Sequence, residues 1–175
     1  MKKVIDPLKF AKLLWPDVSF YSEQKDIIYS VLENDETVVP AGNMLGKDFV
    51  AGFIICWFFM AYEVVRIVTT SVKDDHLRVL WGELGRFIST AKHPLDVANG
   101  GPWLCNHHDI RKFRNGELCK ISYTRGMVSK KGEGMSGHHA PATLLVIDEA
   151  SGVDELVYTS GDTWTARKLI IGNPY

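Results

Sequence analysis

The sequence predicts an α/β fold with a mostly parallel central sheet flanked by helices. Three observations predict it. Short runs of β-branched and aliphatic residues alternate with segments whose apolar residues recur at helical spacing, the order expected when helices cross over between parallel strands. One run, Thr143-Leu144-Leu145-Val146-Ile147, is apolar throughout, as in a strand covered on both faces. A glycine-bearing loop, residues 41–48, lies between a short strand and a long apolar helix.

The elements follow in order. Residues 6–35 are helical, with Pro7 starting a first short helix and Pro16 ending it. Ser22 and Gln24 open a second helix whose apolar set is Ile27, Ile28, Val31 and Leu32. Residues 37–39 form a short strand, and residues 40–48 a turn. The stretch from Phe49 to Tyr62 is membrane-like in composition but shorter than the ~20 residues that span a bilayer. Charged residues bracket it, so it reads as a helix buried on several sides. Residues 64–69 are a strand, and residues 74–90 an amphipathic helix with Leu77, Leu80, Leu84, Phe87 and Ile88 on one face. Residues 92–140 read as irregular, holding short strands such as 119–123 and a mobile loop. Residues 143–147 and 169–171 are the remaining strands.

Composition narrows the class. The chain has 175 residues, 46% hydrophobic and 23% charged, which excludes a disordered, collagenous or low-complexity protein. Lys plus Arg number 20 against 21 Asp plus Glu, a formal net charge of -1, so any nucleic-acid contact must come from a local patch. Three cysteines, Cys56, Cys105 and Cys119, cannot pair completely, and a reducing intracellular compartment is expected. The first residues, MKKVIDPLKF, carry no secretory signal pattern. The Cys and His residues lack paired zinc-ligand spacing.

Four constellations carry chemistry. The first is Ala41-Gly42-Asn43-Met44-Leu45-Gly46-Lys47-Asp48, in the strand-to-helix context of a P-loop. Small residues let backbone N–H groups curl around phosphates, and the helix N-terminus favours anions. Lys47 would reach the β- and γ-phosphates of ATP. Asp48 stands where a Ser or Thr hydroxyl ordinarily meets Mg²⁺; its carboxylate could hold the metal but adds negative charge. The second is the strand ending in Asp148 and Glu149, a Walker B pattern. Asp148 would hold Mg²⁺, and Glu149 would orient and deprotonate the attacking water. The acidic neighbour of the metal carboxylate makes this an ASCE-type P-loop NTPase. The third is Leu169-Ile170-Ile171-Gly172-Asn173-Pro174, where Asn173 could sense the γ-phosphate or the water. The fourth is Gln24 behind Phe20 and Tyr21: an amide for an adenine edge and an aromatic ring to stack on the base, or simply a surface Gln on a helix.

In this order, these elements resemble the N-terminal ATPase of the large terminase subunit of tailed double-stranded DNA phages, over roughly residues 15–175. FYSEQ matches the adenine motif and AGNMLGKD the Walker A loop. RIVTTS with the helix after it matches the second strand and helix. Met135-Ser136-Gly137-His138 before LLVIDEASGV is similar to the Gly-x-His and Walker B block, and Ile171-Gly172-Asn173-Pro174 to the coupling motif. The resemblance implies an ATP- and Mg²⁺-dependent motor core that drives double-stranded DNA into a procapsid in the host cytoplasm. It implies self-association into a ring and contacts with the portal and the small terminase subunit. It also implies that residues 1–175 form an incomplete N-terminal ATPase domain, C-terminally truncated and without the family's nuclease. Many members carry an Arg in the Walker A loop. Here Asn43, Met44 and Leu45 fill that segment, and Arg125 is the candidate for a finger acting in trans, or else a DNA-facing or solvated Arg.

The basic segment 111–131 is the local patch the net charge hides. Arg111, Lys112, Arg114, Lys120, Arg125, Lys130 and Lys131 face only Glu117 within it, and it is the expected contact for double-stranded DNA or a neighbouring subunit. Two other readings stay open: a helicase-like P-loop DNA translocase, and a nucleotide-binding or assembly fragment that never turns over.

Overall fold

A computed structural model describes residues 5–40, 46–129, 132 and 134–172. The predicted loop residues Ala41, Gly42, Asn43, Met44 and Leu45, together with Lys130, Lys131 and Asn173, lie outside the described residues.

Seven strands form one sheet in the order β1-β7-β6-β2-β5-β4-β3. They are β1 Glu36–Pro40, β2 Val65–Ser71, β3 Trp103–Asn106, β4 Asp109–Arg114, β5 Glu117–Val128, β6 Ala142–Ile147 and β7 Lys168–Gly172. The pairs β1·β7, β7·β6, β6·β2 and β2·β5 are parallel, and β4 and β3 continue the sheet antiparallel. The carboxyl ends of the parallel strands therefore share one edge. Pro40 stands beside Gly172, Thr70 beside Ile147, and Ser71 beside Val128. One strand, β7, separates β1 from β6, which leaves a crevice between the segments that follow those two strands.

The helices are α1 Pro7–Leu14, α2 Ser22–Glu33, α3 Lys47–Ala61, α4 Asp74–Thr90 and α5 Glu155–Asp162. Asp6 caps α1, its carboxylate accepting from Lys9 N at 2.9 Å, with Pro7 in the first turn, where a missing N–H costs nothing. The apolar run of α3 is buried from Val50 to Phe59, among the other helices and against one sheet face, as its all-round apolarity requires. No described helix is long and apolar enough to cross a membrane. An aromatic cluster joins the layers: Phe53 lies 4.7 Å from Phe20 and 5.8 Å from Phe87, ring centre to ring centre, and Trp15 donates its indole N–H to Phe87 O at 2.9 Å. A smaller core of Val68, Leu145, Ile147, Val157, Met135 and Trp164 covers the opposite face beneath α5.

Helices α3 and α4 cross at Gly52. A Cβ there would stand 3.0 Å from Leu84 N and 3.1 Å from Glu83 C, both backbone atoms that cannot rotate away. Gly52→Val is expected to lower stability by about 2–3 kcal/mol, read by urea denaturation, because the helices must separate to admit the branched side chain.

Two expectations are corrected. Residues 92–140 are not mainly an irregular segment with a mobile loop, because β3, β4 and β5 occupy much of that stretch and extend the sheet. Strand β5 is also much longer than 119–123. Its Ser122, Tyr123 and Thr124 are buried beside β2, so the strand is set by its neighbour although its own sequence is polar and basic. Helix α5 was not expected. Its start is the Asp154 cap, whose carboxylate accepts from Leu156 N at 2.8 Å.

Candidate functional site

Three of the elements above converge at the carboxyl edge of the sheet. Gly46, in the left-handed region (φ 60°), precedes α3, and Lys47 is the first helical residue. Lys47 is buried. Its ammonium donates to Glu149 Oε1 and lies 3.7 Å from Asp148 Oδ1. The sequence places these groups a hundred positions apart. The fold joins them because β6 ends directly across the crevice from the start of α3.

Electrostatics mark the same place. Burial works against the charge of Lys47, but the hydrogen bond to Glu149 and the charges of Asp148, Glu149 and Asp48 outweigh it and raise its pKa. Asp148 is buried and is pushed up to about 6, by burial first and then by the Asp48 charge, with Lys47 opposing. Asp48 is raised as well, by burial first, with Glu149 and Glu83 repelling it and Lys47 opposing. Two carboxylates thus contact the Lys47 ammonium, and the charge of a third, Asp48, acts on it. The excess negative charge fits a cation, and it strains the site when none is bound. Asp148 N donates to Thr70 O at 2.9 Å, whereas Asp148 Oδ1 has no hydrogen-bond partner among the described residues. A buried oxygen left in that state beside further carboxylates suits a hard divalent ion.

Glu149 has φ 52° and ψ 47°, a left-handed conformation that a non-glycine residue adopts at a cost of roughly 1–2 kcal/mol. The chain reverses there into the short 3-10 turn Ala150–Gly152, and the carboxylate is aimed back toward α3. Strain at a group facing a crevice is a mark of a functional position.

Gln24 lies at the start of α2 and is buried, with its Oε1 accepting from Tyr21 N at 3.1 Å. A Cβ on Gly46 would meet Gln24 Nε2 at 3.2 Å, so the amide lies against the residue that precedes α3. Tyr21, 75% exposed, offers a free ring beside it. The expected base-contact pair therefore stands at the rim of the site, with the amide oxygen already engaged in capping its own helix.

The basic segment is less free than its sequence implies. Asp109, just outside it, accepts from Arg111 Nε at 2.7 Å and from Arg125 Nε and Nη2 at 3.1 Å each. Arg125 also lies over the Tyr123 ring, 5.0 Å from its centre. Lys112 is buried: its ammonium donates to Tyr62 O and, at 3.2 Å, to Glu63 O, and stands 5.1 Å over the Phe59 ring. Glu117 is the only acid within the segment, but Asp109 just ahead of it takes up Arg111 and Arg125, and Lys112 serves the interior. Lys120 is exposed.

Sequence reasoning also missed Glu83 of α4, whose charge reaches Asp48, and Ser71 at the end of β2. Ser71 is visible in the sequence only as one residue of the RIVTTS strand, without a signal of its own.

No protein-family profile matches the chain, and no curated protein matches it in sequence. Solved structures do. The ATPase domain of the Thermus phage P74-26 large terminase, in a mutant form, superposes with TM-score 0.70 at 16% identity, over 95% of this chain and 69% of that one. The HK97 bacteriophage large terminase gives 0.62 at 14% identity, over 92% of this chain and 35% of that one. The large terminase of the thermophilic bacteriophage D6E in complex with ADP gives 0.61 at 14% identity, over 88% and 39%. The chain spans little more than a third of the two longer proteins. At these identities the likeness establishes the fold, that of the ATPase domain of phage large terminases, a P-loop NTPase.

Proposed function

We propose that the chain is an ATP-binding and ATP-hydrolysing motor core that powers translocation of double-stranded viral DNA into a procapsid. The observation that carries the proposal is the meeting of Lys47, Asp148 and Glu149 at the carboxyl edge of a parallel sheet, where α/β proteins bind ligands. The terminase fold and the ADP bound by one protein that shares it support the nucleotide and the setting.

Each residue then has a task. The loop Ala41, Gly42, Asn43, Met44, Leu45 and Gly46 would wrap the phosphates, and the first turn of α3 would present its N–H groups to them. Lys47 would leave Glu149 for the β- and γ-phosphates. Asp148, with Asp48 beside it, would hold Mg²⁺, which supplies charge neutralisation at the phosphates. Glu149, released by Lys47, would orient a water and accept its proton as the water attacks the γ-phosphorus in line with the leaving ADP oxygen. Tyr21 would stack on the base and Gln24 would flank it. Asn173, following β7, would report the γ-phosphate state to the sheet. Arg125 would act on a neighbouring subunit's nucleotide in a ring, exchanging Asp109 for phosphate. Contact with DNA by the segment 111–131 rests on Lys120 and on the half-exposed guanidiniums. Portal and small-subunit contacts, and the reading of residues 1–175 as part of a longer ATPase, belong to the same proposal.

The decisive experiment is a calorimetric titration of Mg²⁺-ATP into wild type and Lys47→Ala. A charge-assisted contact of about 1.5–3 kcal/mol predicts roughly 10- to 150-fold weaker binding in the variant. Equal binding by the two proteins would sink the proposal.

A further inference from the structure

Strands β2 and β6 run side by side in parallel, with Thr70 opposite Ile147. Ser71, the last residue of β2, and Asp148, the residue after β6, therefore continue the same row at the carboxyl edge, where Asp148 N donates to Thr70 O at 2.9 Å. Strand alternation puts the two on one face. On β2 that face carries Val65 and Ile67, packed in the core with α3, and Thr69, whose hydroxyl accepts from Trp81 Nε1 of α4 at 2.9 Å. On β6 it carries Leu144 and Val146, in the same core, and just beyond the strand's end comes Asp148, 3.7 Å from Lys47 of α3.

Ser71 is fully buried, and its Oγ has no hydrogen-bond partner among the described residues. Asp148 Oδ1, on the neighbouring strand, is in the same condition. Buried oxygens without partners on two neighbouring residues of one sheet face are unusual in a native interior, where such groups find partners. A shared ligand accounts for both. Its chemistry follows from the donors: a carboxylate and a hydroxyl are hard oxygen ligands, suited to Mg²⁺ or Mn²⁺. The phosphate-loop segment supplies the reason for a hydroxyl at this place. Asp48 occupies the position from which a Ser or Thr would offer its oxygen, and it brings a third carboxylate to the site.

We infer that Ser71 Oγ, delivered from the end of β2 beside Asp148, is an oxygen donor for the divalent cation of the nucleotide site, replacing the hydroxyl that Asp48 removes from the phosphate loop. The inference rests on the nucleotide-site reading above and adds a residue that the motifs do not contain. A neutral oxygen here completes the coordination without adding a fourth negative charge.

The test measures ATP affinity by calorimetry with and without Mg²⁺, in wild type, Ser71→Ala, Ser71→Thr and Ser71→Cys, using the full chain. In wild type Mg²⁺ should tighten ATP binding. Ser71→Ala should lose at least tenfold of that Mg²⁺-dependent gain while binding metal-free ATP as wild type does. Ser71→Thr should retain the gain. Ser71→Cys should favour Cd²⁺ over Mg²⁺ as the supporting metal, because a thiolate is a soft ligand. A purely structural role for Ser71 cannot produce that change of metal preference, and the readout does not depend on a loss of binding. The inference is overturned if Ser71→Ala keeps the full Mg²⁺ gain, or if it weakens metal-free and metal-supported binding equally. It is likewise overturned if wild type binds ATP with no Mg²⁺ effect, an outcome that leaves nucleotide binding intact. If wild type binds no ATP under either condition, the nucleotide-site reading and this inference fall together.

Discussion

Replacing Glu149 by Gln is expected to lower ATP hydrolysis by about 10²–10⁴-fold, the usual worth of a positioned general base, while Mg²⁺-ATP binds at least as tightly as in wild type. The asymmetry follows from the contact between Glu149 and Lys47. Without nucleotide, Lys47 is committed to the carboxylate, and phosphate must compete for it. A glutamine has the same shape and still offers Lys47 an oxygen, but it carries no charge and cannot accept a proton from water. Binding therefore loses a competitor and the chemical step loses its base. Single-turnover hydrolysis of radiolabelled ATP, paired with calorimetry, separates the two effects. If affinity falls in step with turnover, Glu149 anchors Lys47 structurally and the assignment as base is wrong.

Asp148→Asn is expected to make the nucleotide-free protein more stable at neutral pH while weakening its Mg²⁺-dependent ATP binding. Asp148 is 2% exposed, and its pKa is raised from 3.8 to about 6. A carboxyl whose pKa is higher in the folded state binds protons more readily there than when unfolded. Its ionisation therefore destabilises the fold, progressively as pH rises from about 4 through about 6, and fully at pH 7. The raised pKa bounds the cost at about 3 kcal/mol at 1.36 kcal/mol per unit. A neutral isostere should recover roughly 2 kcal/mol of it, or about 4–8 °C in Tm for a chain of this size. Thermal melts of the two proteins between pH 4 and 8 provide the check: the curves should meet near pH 4 and diverge above it. A variant less stable than wild type at pH 7 would show that the attraction of Lys47 outweighs burial at this residue.

These two residues also show what the sequence could reveal. The DE pair after an apolar strand and the GKD tripeptide before an apolar helix are local patterns, and they name the side chains that meet at the carboxyl edge of the sheet. The helices α3 and α4 were equally legible, since their apolar residues follow the 3.6-residue period or fill every face. Strands β3 and β4 were not, and β5 only over 119–123, because β5 is held in the sheet by pairing with β2, β4 by pairing with β5 and β3 by pairing with β4, rather than by their own patterns. Nor could spacing show that Asp109 holds Arg111 and Arg125, a result of the antiparallel register that places Asp109 opposite Arg125. The left-handed turn at Glu149 carries no signal at all, since glycine is the residue that usually marks such a position. Ser71 became visible only when β2 and β6 were set side by side.

The placement of β7 has a consequence for how the molecule is made. Among the described residues β1 pairs with β7 alone, and β7 joins it to β6. Arg167, just ahead of β7, donates to Val31 O at 2.9 Å and Leu32 O at 3.0 Å, closing the end of α2. Strand β1 therefore waits for β7. During synthesis, β1 leaves the ribosome early but has no seat in the sheet among the described strands until residues 168–172 follow. Throughout that interval the apolar α3 lacks part of its cover. Such non-local closure is slow and exposes the chain to aggregation. It also means that a nascent chain brings Lys47 to Asp148 and Glu149 in one late step, when β7 pairs between β1 and β6.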